Sequence, residues 1–395
     1  MRIGIVSWFN PSVISDLLYP NQNIPNINVG VASVNTITRE MILQGHEVVV
    51  FTYGSIHTNT IILQGNGVKV YVLDDYGIRG ISNLNRIYMI GKLKKVIALE
   101  IETLDVLHAH WTYDFALAAK SFVKKVPVFC SVRDWCPYIM KMQTTMKYKI
   151  LWKLYYLVFK LVMKGNDVHF IANSDYTYNQ IHKSYPDKQI DIIPNPILKD
   201  YILPKKIKKV DHPSFIAICQ GIGNKRKNYD RLLEAFKSFK KTEPEATLKL
   251  VGSGFEAGNP IVEKWRSHDL LDGVELYGFV PHSDLMTLID ESTCLIHPSL
   301  EETFGNILLE GMARYIPVIG GDHSGAVPQV LGFGKYGILC NVYSIDSIVE
   351  AMGKSLDKKF VDLLVKKANE YLSENYASDA VVNQHINLFT KFVKQ

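Results

Sequence analysis

The stretch EETFGNILLE carries two glutamates, Glu302 and Glu310, whose positions suggest ligand binding. A strand-like run over residues 293–297 precedes it, and a helical pattern over residues 306–313 follows. The two acids therefore flank a strand–loop–helix turn. In open α/β folds, ligands bind at such turns, at the carboxyl ends of the strands.

Three glycine-rich turns follow predicted strands in the second half of the chain: Gly221-Ile-Gly223, Gly252-Ser-Gly254 and Gly320-Gly321. Such turns present backbone N–H groups to phosphate. None has the spacing of a Rossmann fingerprint, and the sequence has no Walker A loop. One glycine pair is typical of a tight turn, but three at the strand ends of one sheet favour a phosphate ligand.

A cluster of cations, Lys225, Arg226 and Lys227, follows the first of these turns and precedes a predicted helix over residues 229–237. Positive side chains at the start of a helix oppose its dipole and destabilise it unless an anion is bound there. The cluster therefore predicts an anion site, and a solvated basic turn is the alternative.

In the first half of the chain, His108 and His110 end one predicted strand, and Arg133 and Asp134 end the next. We expect the two histidines to point to opposite sides of their strand, so that one is buried and one faces the cleft. A zinc pair is not expected, because no third ligand lies nearby in the sequence. A purely structural ion pair is the alternative for Arg133 and Asp134.

Length and composition predict two domains in a soluble protein. At 395 residues, the chain is too long for one ordinary core. It is 47% hydrophobic and 21% charged, as is usual for globular proteins. Its five cysteines form no Cys-x-x-Cys pair, so we expect reduced thiols in a cytosolic protein. Residues 1–7 are predicted to be a strand rather than part of a signal peptide.

Short β-branched runs alternate with helical patterns in both halves of the chain, which predicts two parallel sheets covered by helices. The predicted strands of the first half are Ile3–Ser7, Glu47–Thr52, Lys69–Leu73, Val106–Ala109, Val126–Ser131, Val168–Ala172 and Asp191–Ile193. Those of the second half are Ser214–Cys219, Thr247–Val251, Val274–Tyr277, Thr293–His297, Pro317–Gly320 and Gly337–Leu339. Pro194, Pro196 and the basic stretch 204–213 separate the two series and predict a hinge beside a cleft.

The formal net charge of +5 arises in the first half of the chain, which suits an acidic partner such as phosphate or anionic lipid. Residues 135–166 contain six lysines and no acid. The run over residues 150–163 is too short and too charged to span a bilayer. Its lysines and aromatics suit an interfacial helix whose inserting residues would be Trp152, Tyr155, Tyr156 and Phe159. The alternative is a buried interdomain helix with snorkelling lysines.

Together these motifs resemble the retaining glycosyltransferases of family four, which have the GT-B architecture. The resemblance covers nearly the whole chain and is strongest at the Glu-x7-Glu pattern. Further matching segments are Gly45–Val48, Ile193–Asn195, Lys227–Phe236, Leu250–Gly254 and Val274–Phe279. The implied fold class is α/β, with two Rossmann-like domains facing a cleft. They would span residues 1–196 and 197–376, and the last helix, within 377–395, would cross back to the N-terminal domain.

The resemblance also implies roles for individual residues. Glu310 would bind the ribose of a nucleotide-sugar donor, and Glu302 would bind its sugar. The residues implied to hold the diphosphate, through charge or backbone N–H groups, are Gly221, Arg226, Lys227, Phe304, Gly305 and Asn306. Gly30 would belong to a loop that closes over the sugar. The residues implied to meet the sugar and the acceptor are His110, Arg133 and Asp134.

The sequence departs from the family pattern at four positions. Ile222 stands where an arginine is usual, so Arg226 or Lys225 would have to replace that charge. The remaining departures are Val29 in the usual Gly-Gly pair, Arg133 for a histidine and Gln329 for a glutamate.

The resemblance implies retaining transfer of a sugar from a UDP- or GDP-sugar to a hydroxyl of a glycan or lipid-linked acceptor. The setting would be synthesis of cell-surface polysaccharide or glycolipid. We expect no metal and no cofactor beyond the donor, and no nucleic-acid partner. The expected location is cytoplasmic, with the anionic inner face of the cell membrane as a partner surface. A GT-B sugar-nucleotide epimerase and a weakly active sugar-nucleotide-binding partner protein are the alternatives.

Overall fold

The computed structural model describes residues 1–25, 27, 32–54, 60–74, 82–143, 145–202, 212–219 and 221–393, without the side chains of residues 82–87. Gly30 and most of the predicted hinge, residues 203–211, lie outside the described residues. The chain divides into two compact units. Unit 1 comprises Met1–Pro196 and Ser378–Gln395, and unit 2 comprises Ile197–Ala377.

Within the described residues, unit 1 contains an eight-stranded sheet in the order β3-β4-β2-β1-β5-β6-β7-β8. The strands are β1 (Arg2–Val6), β2 (Glu47–Gly54), β3 (Ile61–Gly65), β4 (Val68–Asp74), β5 (Val106–His110), β6 (Val128–Val132), β7 (Val168–Ala172) and β8 (Ile190–Ile192). The helices are α1 (Ala32–Leu43), α2 (Ser82–Glu100), α3 (Asp114–Lys120), α4 (Cys136–Lys141), α5 (Met146–Met163) and α6 (Asp175–Ser184), with the last helix of the chain, α14 (Ser378–Thr390).

One strand of unit 1 is absent from the predicted set. β3 pairs antiparallel with β4, and the two strands are joined by Asn66 and Gly67. Gly67 has a φ of +72°, a conformation that glycine adopts freely. The other strand pairs of this sheet are parallel, as predicted.

The sheet of unit 1 is buried on both faces, as parallel sheets with crossover helices are. On β1, Ile3 and Ile5 pack in a cluster with residues of α1 and α14. Val6 packs on the opposite face with residues of α2 and α3. Ser378, at the start of α14, donates a hydrogen bond to Glu40 Oε2 at 2.8 Å. The C-terminal helix is therefore part of the core of unit 1.

In the described part of unit 2, six parallel strands are ordered β11-β10-β9-β12-β13-β14. The strands are β9 (Ser214–Ile218), β10 (Thr247–Val251), β11 (Val274–Tyr277), β12 (Cys294–His297), β13 (Val318–Gly321) and β14 (Ile338–Cys340). The helices are α7 (Tyr229–Phe239), α8 (Pro260–Ser267), α9 (His282–Asp290), α10 (Asn306–Ala313), α11 (Val327–Val330), α12 (Ile345–Lys354) and α13 (Lys358–Asn375). No helix in the described part of the chain is both long and apolar enough to cross a membrane.

Candidate functional site

The strand order of unit 2 reverses between β9 and β12. The chain runs from β9 outward through β10 to β11, then returns to β12 and continues outward through β13 to β14. β9 and β12 are hydrogen-bonded neighbours, with Phe215 opposite Cys294. In open α/β proteins, ligands bind beside such a reversal, at the carboxyl ends of the strands.

The loop after β9 presents the cation cluster in a rigid form. Residues Lys225–Lys227 form one turn of 3-10 helix, and Asn228 follows with a φ of +60°. Asn228 Nδ2 donates to the carbonyls of Pro298 and Val342, at 3.1 and 2.8 Å. The N–H of Leu300 donates to the carbonyl of Arg226 at 2.8 Å. The cluster is thus held against the loop that follows β12.

These contacts create a charge centre around Glu302. Lys227 Nζ donates to Glu302 Oε1 at 2.6 Å, and Arg226 Nη1 lies 3.3 Å from Glu302 Oε2. Arg226 also reaches Glu301, with 2.5 Å to its carbonyl and 3.2 Å to Oε2. His297, the last residue of β12, places Nε2 3.3 Å from Glu302 Oε1. Two cations therefore face two carboxylates in a largely buried setting.

The electrostatics keep Glu302 ionised. Burial alone would raise the pKa of this carboxyl. Lys227, His297 and Arg226 outweigh burial and hold the pKa of Glu302 well below its usual range. Burial also lowers the pKa of His297, so that its imidazole is neutral near pH 7, although Glu302 acts in the opposite direction. At neutral pH the centre consists of two cations, two acids and a neutral imidazole.

The backbone of Glu302 is fixed by a second loop, which follows β13. Glu302 N–H donates to the carbonyl of Ser324 at 3.3 Å, and its carbonyl accepts from Ala326 N–H at 2.9 Å. Gly325 lies between them with a φ of +65°. A Cβ there would stand 2.3 Å from the Glu302 carbonyl oxygen, so only glycine permits this approach. The role of Gly325, like those of Glu301 and His297, is absent from the site predicted from the sequence.

Helix α10 begins beside Glu302. Gly305 precedes it with a φ of +88°, and Asn306 is its first residue. The buried ring of Phe304 packs against Tyr376 with ring centroids 5.8 Å apart. The start of a helix carries N–H groups without intrahelical acceptors and a partial positive charge. The predicted residues 304–306 thus form a helix start next to the charge centre.

Glu310 lies one turn further along α10. Its Oε1 stands 3.3 Å from His282 Nε2, at the start of α9. Its Oε2 is buried and has no hydrogen-bond partner among the described residues. The ring of Tyr201 covers His282, with centroids 4.9 Å apart. Burial raises the pKa of Tyr201, with a smaller contribution from Glu310. A buried carboxylate oxygen without a partner is suited to accept a hydrogen bond from a ligand hydroxyl.

The turn at Gly221 shows why Ile222 supplies no charge. Gly221 has a φ of +77°, and its N–H donates to the Ser253 carbonyl at 3.2 Å. The side chain of Ile222 is buried in the core of unit 2. Of the two cations that could replace the missing charge, Lys225 is exposed, whereas Arg226 contacts Glu301 and Glu302.

In unit 1, a second set of polar groups lies at the ends of β5 and β6. Arg133 donates to His110 Nδ1 from Nε at 3.3 Å and from Nη2 at 3.0 Å, and it also donates to Asn195 Oδ1. Tyr113 donates its hydroxyl to Asp134 Oδ1 at 2.8 Å. Burial lowers the pKa of Arg133 to about 10, which leaves it protonated at pH 7. The three predicted residues of this unit, His110, Arg133 and Asp134, therefore lie close together, and Arg133 is hydrogen-bonded to His110.

The prediction that His108 and His110 point to opposite sides of β5 is wrong. Their ring centroids are 4.2 Å apart, and His385 of α14 lies 5.2 Å from His108. Residues two apart in a strand share a face, so the alternation in the sequence places both rings together. Burial lowers the pKa of His108 and His110 well below the usual range, and that of His385 to about 3. All three are neutral at pH 7.

Two family descriptions match this chain in succession. Residues 30–200 match Glycosyltransferase Family 4, and residues 203–377 match the glycosyl transferases group 1. The chain belongs to the group 1, family 4 glycosyltransferases. Among the described residues of this glycosyltransferase, no group of three His, Cys, Asp or Glu side chains is placed to hold a metal ion.

Curated relatives of this glycosyltransferase include two bacterial proteins. An uncharacterized 41.2 kDa protein in the cps region of Klebsiella pneumoniae is 24% identical, over 80% of this chain and 85% of its own. The N-acetyl-alpha-D-glucosaminyl L-malate synthase of Bacillus anthracis is 26% identical, over 73% of this chain and 75% of its own.

Solved structures share the fold of the glycosyltransferase over its whole length. Sucrose-phosphate synthase from Thermosynechococcus elongatus matches with a TM-score of 0.79 and 16% identity, over 99% of this chain and 98% of that chain. WaaG, a glycosyltransferase involved in lipopolysaccharide biosynthesis, matches at 0.70 and 13%, over 99% and 100%. Anabaena Alr3699/HepE in complex with UDP matches at 0.68 and 14%, over 99% and 100%. These likenesses confirm the predicted GT-B fold of two Rossmann-like domains.

Proposed function

We propose that this enzyme is a retaining glycosyltransferase that moves a sugar from a nucleotide-sugar donor to a hydroxyl of a glycan or lipid-linked acceptor. The observation that carries the proposal is the charge centre of unit 2, where Lys227 and Arg226 face Glu302 beside the start of α10. Such a centre matches a nucleoside diphosphate, whose charge needs cations and N–H donors.

The leaving group is the part of the reaction that this centre would assist. When the bond between the anomeric carbon and the diphosphate breaks, negative charge grows on the diphosphate oxygen. Lys227, Arg226 and the N–H groups at the start of α10 would stabilise that charge. The new bond forms to the acceptor oxygen on the same face of the sugar, and the acceptor proton passes to the departing diphosphate oxygen.

The remaining donor contacts that we propose are those implied by the family resemblance. Glu310 would accept hydrogen bonds from the ribose hydroxyls through Oε2, which has no hydrogen-bond partner among the described residues. Glu302 would hold hydroxyls of the sugar while it keeps Lys227 in place. Arg226, not the exposed Lys225, would replace the family arginine that is absent at Ile222. His110, Arg133 and Asp134 of unit 1 would contact the sugar and the acceptor.

The setting we propose is synthesis of a cell-surface polysaccharide or glycolipid from a cytoplasmic donor. The relation to WaaG, a glycosyltransferase of lipopolysaccharide biosynthesis, supports this setting. The likeness to a structure in complex with UDP supports a UDP-sugar donor, and GDP-sugars are the second class to test. We propose that no metal takes part, and that Lys227, Arg226 and the N–H groups at the start of α10 bind the diphosphate directly.

A two-stage experiment tests the proposal. Thermal shift with UDP, GDP and their sugars identifies the donor, because a ligand that binds the folded state raises its apparent stability. Transfer to purified lipid-linked and soluble glycans is then followed by NMR, with and without EDTA. Retained configuration and unchanged rates in EDTA are expected. Epimerised donor without transfer would show an epimerase, and an inverted product would refute retention.

A further inference from the structure

Helix α5 has two apolar faces, and the described residues of unit 1 cover one of them. The inner face packs in the core through Phe159, Val162 and Met163. The aromatic residues predicted to insert into lipid belong to this inner side. Trp152 and Tyr155 pack on Tyr113, with ring centroids 6.1 and 5.1 Å away. The prediction that they and Phe159 contact lipid is therefore wrong.

The outer face of α5 carries a different set of apolar side chains. We call these residues the outer stripe: Met146, Ile150, Leu154, Leu157 and Leu161. They are spaced by four, four, three and four residues, which aligns them along one side of an α-helix. All five are exposed, and Leu157 retains 56% of its surface. Lone exposed leucines are ordinary, but a continuous line of five is typical of an interaction surface.

Lysines border the outer stripe. At 100° per residue, Lys149, Lys153 and Lys160 run along one side of it, and Lys147 lies on the other. All four are exposed, and α5 has no acidic residue. This arrangement of an aliphatic line with basic borders matches a helix that lies in the plane of an anionic lipid surface.

The C-terminal end of α5 extends the basic surface. Lys120 donates to the carbonyls of Leu161 and Val162, both at 3.0 Å. Lys188 donates to the carbonyl of Gly165. Asp167 and Asp187 are acidic groups close to these lysines and offset part of their charge. Near the start of α5, by contrast, residues 135–166 supply no acidic side chain that could offset the charge of the lysines.

We propose that the outer stripe and its lysines bind the surface of an anionic lipid bilayer. The helix would lie along the surface with its aliphatic residues among the acyl chains and its lysines at the headgroups. The inner face stays in the core of unit 1, so binding needs no unfolding. A second copy of this chain fits less well, because pairing two such faces would bring their lysine borders together. The proposal accords with a lipid-linked acceptor but does not depend on the transfer reaction.

The test is flotation of the full chain with vesicles of phosphatidylcholine alone and with about 30% phosphatidylglycerol added, at about 50 and 500 mM salt. Flotation with the anionic vesicles at low salt is expected, with less at high salt, since salt screens the attraction. Lys149→Gln, Lys153→Gln and Lys160→Gln combined should weaken partitioning roughly 100-fold, from about 1 kcal/mol per lysine. Leu154→Ser with Leu157→Ser should weaken it at least about tenfold.

Matched controls lie in α13 of unit 2. Leu363 is also 56% exposed, so Leu363→Ser changes the same amount of surface as Leu157→Ser. Lys358→Gln, Lys359→Gln and Lys367→Gln combined remove the same charge from exposed positions. Both control proteins should float like the unaltered protein. Failure of the unaltered protein to float at low salt, or equal loss in the controls, would overturn the proposal.

Two further measurements distinguish lipid binding from self-association and from a defect in the transfer reaction. If Leu154→Ser with Leu157→Ser converts a dimer into a monomer in sedimentation, the outer stripe is an interface between copies and the proposal is wrong. Transfer to a soluble acceptor, measured without vesicles, should be unchanged in the lysine variant. Loss of flotation with intact transfer supports membrane binding, whereas an inactive protein that still floats counts against the proposed reaction alone.

Discussion

Lys227 and Glu302 form an ion pair whose Nζ and Oε1 lie 2.6 Å apart, and both side chains are largely buried. A buried pair of this kind loses most of its hydration, and its attraction must offset that cost. Removal of either partner would leave an uncompensated charge. In the proposed reaction a diphosphate shares Lys227 with Glu302, so the pair also holds the lysine in position before the donor arrives.

Lys227→Ala should reduce kcat more than it raises the KM for the donor. Charge on the leaving diphosphate is larger in the transition state than in the ground state, and only that difference accelerates the reaction. Loss of one such stabilising group typically costs about 100-fold or more. Steady-state kinetics with a saturating acceptor measures both constants.

Lys225→Ala is the matched control, because Lys225 is the exposed neighbour in the same turn. It should retain nearly full activity. Arg226→Ala should resemble Lys227→Ala, since Arg226 contacts the same carboxylate. A normal kcat with a raised donor KM in Lys227→Ala would identify the lysine as a ground-state binding residue.

Glu310→Ala should weaken the binding of the nucleoside diphosphate. The change removes the acceptor Oε2, and loss of one hydrogen bond to ribose should cost roughly 1–3 kcal/mol. Calorimetry with the diphosphate measures this directly. Glu234→Ala, at an exposed position of α7, should bind normally. Equal affinity of the Glu310→Ala and unaltered proteins would show that the ribose lies elsewhere.

The sequence predicts the elements of this protein well because parallel strands buried on both faces form unbroken β-branched runs. β3 is absent from the predicted set although a hairpin pattern is present. Asn66 and Gly67 separate two apolar runs, which is a strong local indication of a hairpin. The predicted faces of β5 and α5 are also wrong, at His108 and Trp152. The sequence does contain the correct faces, because the side on which a residue lies follows from its spacing along the strand or helix.

The contacts between site residues could not be predicted from spacing in the sequence, because the partners lie far apart in the chain. Arg226 contacts Glu301 across 75 positions, and spacing within one sequence gives no sign of that pairing. The resemblance predicts Glu302 and Lys227, but not the way in which Gly325 holds the glutamate. Such contacts depend on which strand ends meet at the reversal of the sheet, and only the assembled fold defines them.

Gly325→Ala should damage both stability and activity. A Cβ at this position meets the Glu302 carbonyl at 2.3 Å, and the φ of +65° is unfavourable for alanine. The strain should cost roughly 1–3 kcal/mol in urea unfolding. It should also lower kcat, because Glu302 moves together with its backbone.

Gly353→Ala in α12 is the opposite control. Apart from its chain neighbours and the backbone of its own helix, no atom of the described residues lies within 4 Å of the added Cβ. Alanine should therefore stabilise the helix by about 0.5–1 kcal/mol and leave activity unchanged. If both variants have the stability of the unaltered protein, the loop after β13 can shift to accommodate a Cβ at position 325, and the predicted strain is absent.

The buried histidines of unit 1 should make its stability fall with acid. His385 has a pKa of about 3 in the folded chain, whereas an unfolded histidine has one of about 6.5. Between these values the unfolded state binds the proton and the folded state does not, so stability decreases as pH falls below 6.5. Each such histidine contributes about 1.4 kcal/mol per pH unit. The pKa values of His108 and His110 are lowered as well, so the combined slope should approach roughly 4 kcal/mol per pH unit.

Urea unfolding between about pH 6 and 5, followed by tryptophan fluorescence, measures this slope. Four of the five tryptophans lie in unit 1, so the fluorescence reports mainly on that unit. His385→Leu should reduce the slope by about 1.4 kcal/mol per pH unit, because one proton fewer is taken up on unfolding. Since the comparison is between slopes, a change in overall stability caused by the substitution does not affect the result. An identical slope in the variant and the unaltered protein would show that His385 is already protonated in the folded protein.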